Sequence, residues 1–228
     1  MPKFVTATRT ALTAVLIGAA ALGSAGTAAA APGTLHGDPD GAAQYWAQQT
    51  TDDCVLMAVA DVVGQVTGDL PSEDDIIATA SSTPSESHAG PIYTAPGDPA
   101  DPRSGAGTDG GDVPALLRVY GIDSDYTDDD RGGQNGNIEA GMDALAQYLS
   151  QGRKVIAIVD VWPIWNQEAD DDGSNHGLVV TGIDTAADVV YLNDSGVETG
   201  AGEQTSIETF RKAWDASDGT MIVTRPDS

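Results

Sequence analysis

Gln48-Gln49-Thr50-Thr51-Asp52-Asp53-Cys54-Val55-Leu56-Met57-Ala58 holds the only cysteine of the chain, set directly before an apolar stretch with helical spacing. The pattern predicts a helix over residues 52–68, with Thr51 or Asp52 as cap, Val55, Val59, Val62 and Val66 along one face, and Gly68 as the stop. One thiol has no partner for an intramolecular disulfide. At the start of a helix it lies at the positive end of the macrodipole, which favours thiolate. The stretch therefore reads either as a nucleophile held by a buried helix or as a small buried hydrophobe, the common state of a free cysteine. Asp52 and Asp53 disfavour a further anion, so a thiolate here calls for a cationic partner.

Three histidines are available for that role. His36 falls in a Gly/Pro-rich lead (residues 31–43) and His88 in a Pro/Ser-rich stretch, and both read as solvated loop residues. His176 differs, because it opens the β-branched run His176 to Ile183. A sheet would fix its backbone while its side chain stays near a loop mouth, the combination a general base needs. Asp184 to Asp188 suits a hairpin connection to the next strand, Val189 to Leu192, which ends in Asn193-Asp194-Ser195-Gly196. Asp194 is thereby placed to orient His176 and stabilise its cation. Six residues before Cys54, Gln48 can offer its amide to an oxyanion beside the Cys54 backbone N–H, with Gln49 as the fallback.

Between these landmarks the pattern predicts a helix near Asp74 to Ala80, a long surface excursion over residues 81–111, and a short helix from Asp112 to Tyr120. A polar loop follows, then a helix from about Asn137 to Leu149. Strands are expected at Val155 to Val161 and Thr220 to Thr224, with an amphipathic helix near Ser206 to Ala216 before the last. Helices come first and strands follow, so the fold class is α+β: N-terminal helices packed on a C-terminal antiparallel sheet, in one domain over residues 44–228.

Residues 1–30 have the layout of a secretory signal peptide. Lys3 and Arg9 precede the apolar run Ala11 to Gly18, and Ala28-Ala29-Ala30 offers a small-residue cleavage site. The expected product is secreted and cut after Ala30. Its removal takes two basic residues and no acidic ones, moving the formal charge from -25 to -27. So acidic a chain repels nucleic acid and anionic lipid, which leaves neither polymer nor membrane as an expected partner.

Gln48-x-x-x-x-Asp53-Cys54 before Met57-Ala58, the late strand from His176, and Val190-Tyr191-Leu192-Asn193-Asp194 together resemble the papain-fold cysteine peptidases of the bacteriocin-processing type, the thirty-ninth cysteine peptidase family. The likeness extends to Gly152 to Trp165 and to Phe210 and Trp214, and covers most of residues 44–224. It implies a papain-like fold, a triad in the order Cys54, His176, Asp194, and Gln48 at the oxyanion hole. The implied activity is a thiol hydrolase, a cysteine peptidase working through an acyl-enzyme on a peptide or protein substrate, without cofactor or metal. This chain departs from the family at Val55, where Gly usually follows the nucleophile. That departure motivates an alternative from another class, a non-catalytic secreted protein that keeps the fold for binding.

Asp128 to Asp130 and Asp170 to Asp172 read as solvated loop charges. Glu168, Asp170, Asp172 and Gly173 match half of a calcium loop, but its twelfth position is Val179 where a bidentate Glu is required. Packing is the expected role of most tryptophans, with Trp165, close before the acidic run and His176, the one nearest the chemistry.

Overall fold

A computed structural model describes residues 35–97, 103–128, 138–167 and 176–226. The export-signal reading of residues 1–30, the acidic run from Glu168 to Asp172, and Asp129 and Asp130 lie outside these residues. The predicted helix around Cys54 is present as α2 (Cys54–Thr67), preceded by β1 (Leu35–Gly37) and the single turn α1 (Pro39–Ala42). Residues Val55 to Gly64 of α2 are all buried and, Asp61 apart, uncharged and apolar, as suits a central helix. Gly68 closes it in the left-handed region, at φ 82°, with its N–H on the Gly64 carbonyl. Next come α3 (Glu73–Ser82), α4 (Val113–Val119), β2 (Ser124–Thr127) and α5 (Met142–Ser150). The C-terminal half supplies β3 (Val155–Val159), β4 (His176–Asp184), β5 (Val189–Asn193), β6 (Ala201–Ser206), α6 (Ile207–Asp215) and β7 (Met221–Thr224).

The strands form one antiparallel sheet in the order β2-β7-β3-β4-β5-β6, with β1 also paired to β4. Its two faces alternate with the period of the strand. Ile156, Val179 and Ile222 pack into a core with α2, α3 and α4. Their neighbours Val155, Ala157, Leu178, Val180 and Val223 pack on the other face with α5 and α6, around Phe210 and Trp214. The helices expected on the sheet are there, and the sheet is covered on both sides. Register fixes the site: Val159 pairs with His176, and Val179 with Asn193, which brings the end of β5 to the start of β4.

Several segments differ from their sequence reading. The lead is regular from residue 35 onward. His36, expected to be solvated in it, sits in β1 with its Nδ1 2.6 Å from Ser150 Oγ. The excursion over residues 81–111 is not purely superficial, because Ile92 and Tyr93 are buried in the first core. His88 packs there against the buried Asp112, with its Nε2 3.5 Å from Asp112 Oδ2. Within the supposed polar loop after Tyr120 lies β2, whose Asp125 pairs with Arg153 and Arg225. Asp128, read as solvated, is buried. Strand β6 went unpredicted because its sequence, Ala-Gly-Glu-Gln-Thr-Ser, has no apolar alternation; it is an edge strand held by its ladder to β5. Helix α5 begins at Met142, later than expected.

Candidate active site

Cys54 is the first residue of α2, with Asp53 at the cap position, and its side chain is half-buried. The Gly177 N–H donates to Cys54 Sγ at 3.4 Å, which ties the nucleophile position to the second residue of β4. His176, the first residue of β4, is buried, and its Nε2 lies 2.6 Å from Asp194 Oδ1. That bond leaves Nδ1 as the ring nitrogen free to serve Cys54. Burial pulls the His176 pKa down, but the Asp194 carboxylate and the hydrogen bond and charge of Cys54 override it and raise the group to about 10. The site therefore favours the imidazolium form of His176.

Asp194 directly follows β5 and is fully buried. Burial would raise its pKa; His176, the Gly196 N–H at 2.8 Å and the Trp165 indole N–H at 2.9 Å together hold it below the usual carboxylate range. The Trp46 indole donates to the Asp194 carbonyl at 2.6 Å. Trp165 also lies against the His176 ring, with centroids 5.3 Å apart. Gly196 makes room for this stack, since a Cβ there would stand 2.7 Å from Trp165 and 3.1 Å from His176. Glu203 of β6 is a further carboxyl behind Asp194, lifted to about 7 by burial and by the Asp194 charge.

Val55, the residue that departs from the family pattern, has a structural counterpart. A Cβ on Gly177 would meet Val55 Cγ2 at 2.7 Å, so the bulk after the cysteine fills the space left by the glycine after the histidine. The two glutamines divide in a similar way. Gln49 is committed: its Nε2 donates to the Thr51 carbonyl at 2.8 Å, its Oε1 accepts from Ser195 Oγ, and its N–H reaches the Ser195 carbonyl. Gln48 is exposed, has no hydrogen bond to a described residue and is not among the residues lining the cleft that holds Cys54 and His176.

Cys54 and His176 share a cleft of about 420 Å³ with Asp52, Val55, Ile158 and residues 105–110. The glycine-rich part of residues 81–111 thus forms one wall of the site, a role its composition did not reveal. Among the described residues, the charged side chains on the cleft besides His176 are Asp52 and Asp109. Among the described residues no group of three or more His, Cys, Asp or Glu is placed to hold a metal ion. Nor is any described helix long and apolar enough to cross a membrane.

Residues 42–222 match the Peptidase_C39 like family. The chain belongs to that family. Uncharacterized proteins of Mycobacterium tuberculosis and Mycobacterium bovis are each 51% identical to it over 228 residues, covering 97% of this chain and 98% of theirs. A crystal structure described as a putative C39-like peptidase from Bacillus anthracis superposes with a TM-score of 0.55 at 17% identity, over 80% of this chain and 94% of that one. That likeness supports the papain-like fold of this family member. A double glycine motif protease from an AMS/PCAT transporter, solved with its leader peptide, gives a TM-score of 0.45 at 14% identity over 79% and 89% of the two chains.

Proposed function

We propose that the chain is a secreted cysteine peptidase that works through Cys54, His176 and Asp194. The observation that carries this reading is the buried 2.6 Å contact between His176 and Asp194 at the cleft that also holds Cys54. His176 Nδ1 takes the Cys54 proton, and the thiolate attacks a peptide carbonyl carbon. The carbonyl electrons move onto oxygen, where the Cys54 N–H and the Gln48 amide receive the charge. As the intermediate collapses, the C–N bond breaks and His176 returns its proton to the leaving amine. Water, deprotonated by His176, then attacks the thioester and releases the carboxylic acid and the thiol. Asp194 keeps the ring oriented and stabilises its cation throughout. Family membership supports a peptide bond as the target.

Alkylation by iodoacetamide tests the nucleophile: Cys54 should react rapidly well below pH 8, and a thiol inert throughout that range would count against catalysis. Hydrolysis of a peptide library should vanish in Cys54→Ala, and unchanged turnover in that variant would refute the reading. Secretion is tested by the intact mass of protein recovered from medium, expected to begin at Ala31.

A further inference from the structure

The turn that presents Cys54 contains a carboxyl group for which the peptidase mechanism has no use. Asp53 is 1% exposed, and both its carboxylate oxygens are buried with no hydrogen-bond partner among the described residues. It occupies the cap position of α2 yet its side chain caps no helical N–H. The neighbouring backbone and Thr51 favour an ionised carboxylate there, but burial and the charge of Glu73 outweigh them. The charged groups facing it are of the wrong sign. Glu73, at the start of α3, is the principal charge facing it, and Asp52 precedes it in the chain. Tyr93, from the segment over residues 81–111, is itself held neutral, up to about 12, by burial and by Asp52 and Asp53.

Glu73 is more than a neighbouring charge. Its carboxylate accepts from the Thr50 N–H at 2.6 Å and from the Thr50 hydroxyl, and so fastens the Gln48–Asp53 turn to α3. An ionised Asp53 would repel the group that anchors the turn and would add a negative charge next to Cys54. We infer that Asp53 acts as a positioning residue in its protonated form, and that its ionisation releases the turn presenting Cys54 and Gln48 and so switches the site off. This rests on the peptidase reading above.

Burial, followed by the charge of Glu73, raises Asp53 from 3.8 to about 6, which puts the switch within a physiological range. His176 by itself would stay protonated up to about 10. The two sources of an alkaline limb are therefore well separated. Asp61 and Glu203 also titrate near neutrality, at about 6 and about 7, but they act on Asn193 and Asp194 and not on the Cys54 turn.

The experiment is the pH profile of Cys54 alkylation by iodoacetamide, from pH 4 to 10, with peptide hydrolysis in parallel, in the wild type, Asp53→Asn and Glu73→Gln. In the wild type, reactivity should fall severalfold across an alkaline limb near pH 6. Asp53→Asn should move that limb up by more than one pH unit. Glu73→Gln keeps the acceptor for Thr50 but removes the opposing charge, and should move the limb down. Opposite displacements are not expected of a side chain that only fills space. A wild-type limb near pH 10, or no displacement in Asp53→Asn, would overturn the inference. So would millimolar calcium removing the limb in the wild type, because the pair would then be a cation site. Carboxyl carbon NMR supplies a readout independent of turnover: an Asp53 signal titrating near 4 would also overturn it. If alkylation follows the expected profiles while no peptide is cleaved at any pH, the switch stands and the peptidase reading fails.

Discussion

The two halves of the site are built on opposite plans. On the sheet half, Asp194 accepts from His176, Gly196 and Trp165 through its carboxylate and from Trp46 through its carbonyl, so the base is fully specified before any substrate arrives. On the helix half, Asp53 has no partner for either oxygen, and Gln48 stands exposed next to a committed Gln49. The contrast separates what must be rigid from what must respond. In the proposed mechanism the base works from one fixed geometry, whereas an oxyanion donor and a proton-controlled turn would need a ligand or a proton to complete them.

Substitution on each half should break the site in different ways. His176→Ala is expected to lower kcat/KM by about 10²- to 10⁴-fold and to abolish the low-pH reactivity of Cys54. Gln48→Ala should cost about 10²-fold in kcat while leaving Cys54 alkylation intact, because the thiolate partner survives. Equal loss of alkylation in both variants would erase the distinction.

Stability should also follow pH, with the raised groups of both halves opposed in sign by Asp194. Asp61, raised to about 6 chiefly by burial, contributes stability that is complete below its unfolded value near 4 and is lost as pH rises through 6. That loss is about 3 kcal/mol for two pKa units. Asp53 and Glu203 add to it in the same direction. Asp194, held low, behaves conversely: its contribution is present above pH 4 and is lost on acidification. The His176 contribution is complete below pH 6.5 and disappears only as pH rises through about 10. Urea denaturation should therefore give a maximum stability on the acid side of neutrality, with a decline between about pH 4 and 7.

Smaller effects test the seam between the halves. Gly177→Ala should cost about 1–3 kcal/mol by overpacking against Val55, and Val55→Ala in the same chain should recover most of it, as a double-mutant cycle would reveal. Trp165→Phe removes one hydrogen bond to a buried carboxylate and should cost about 1.5–3 kcal/mol, with kcat falling more than KM rises. At the cleft rim, Asp109→Asn should only weaken a preference for basic over acidic peptides, by about twofold, and the effect should fade at high salt.

What the sequence made legible follows from these physical differences. The helix after Cys54 and the strand after His176 are long, apolar and periodic, and their spacing carried both the α+β reading and the candidate triad. Strands β2 and β6 escaped because Ser-Asp-Tyr-Thr and Ala-Gly-Glu-Gln-Thr-Ser draw their order from ladder hydrogen bonds and not from apolar alternation. The cleft wall at residues 105–110 escaped for a similar reason: composition marks a glycine-rich loop but does not say what it faces. Val55 read in isolation as a defect; only three-dimensional proximity to Gly177, far away in the chain, makes sense of it. Trp165 was noticed by its place in the chain, though its hydrogen bond to Asp194 has no sequence signature.

Strand β4 is bordered along one edge by β3 and then β1 and along the other by β5, with residues 176–183 buried throughout. Such a strand lends its amides to solvent only when the whole domain opens. In deuterium labelling, amides 177–183 should therefore be among the last to exchange, in step with global unfolding. His176 heads that slow-exchanging block, so local opening elsewhere in the domain should leave its backbone in place.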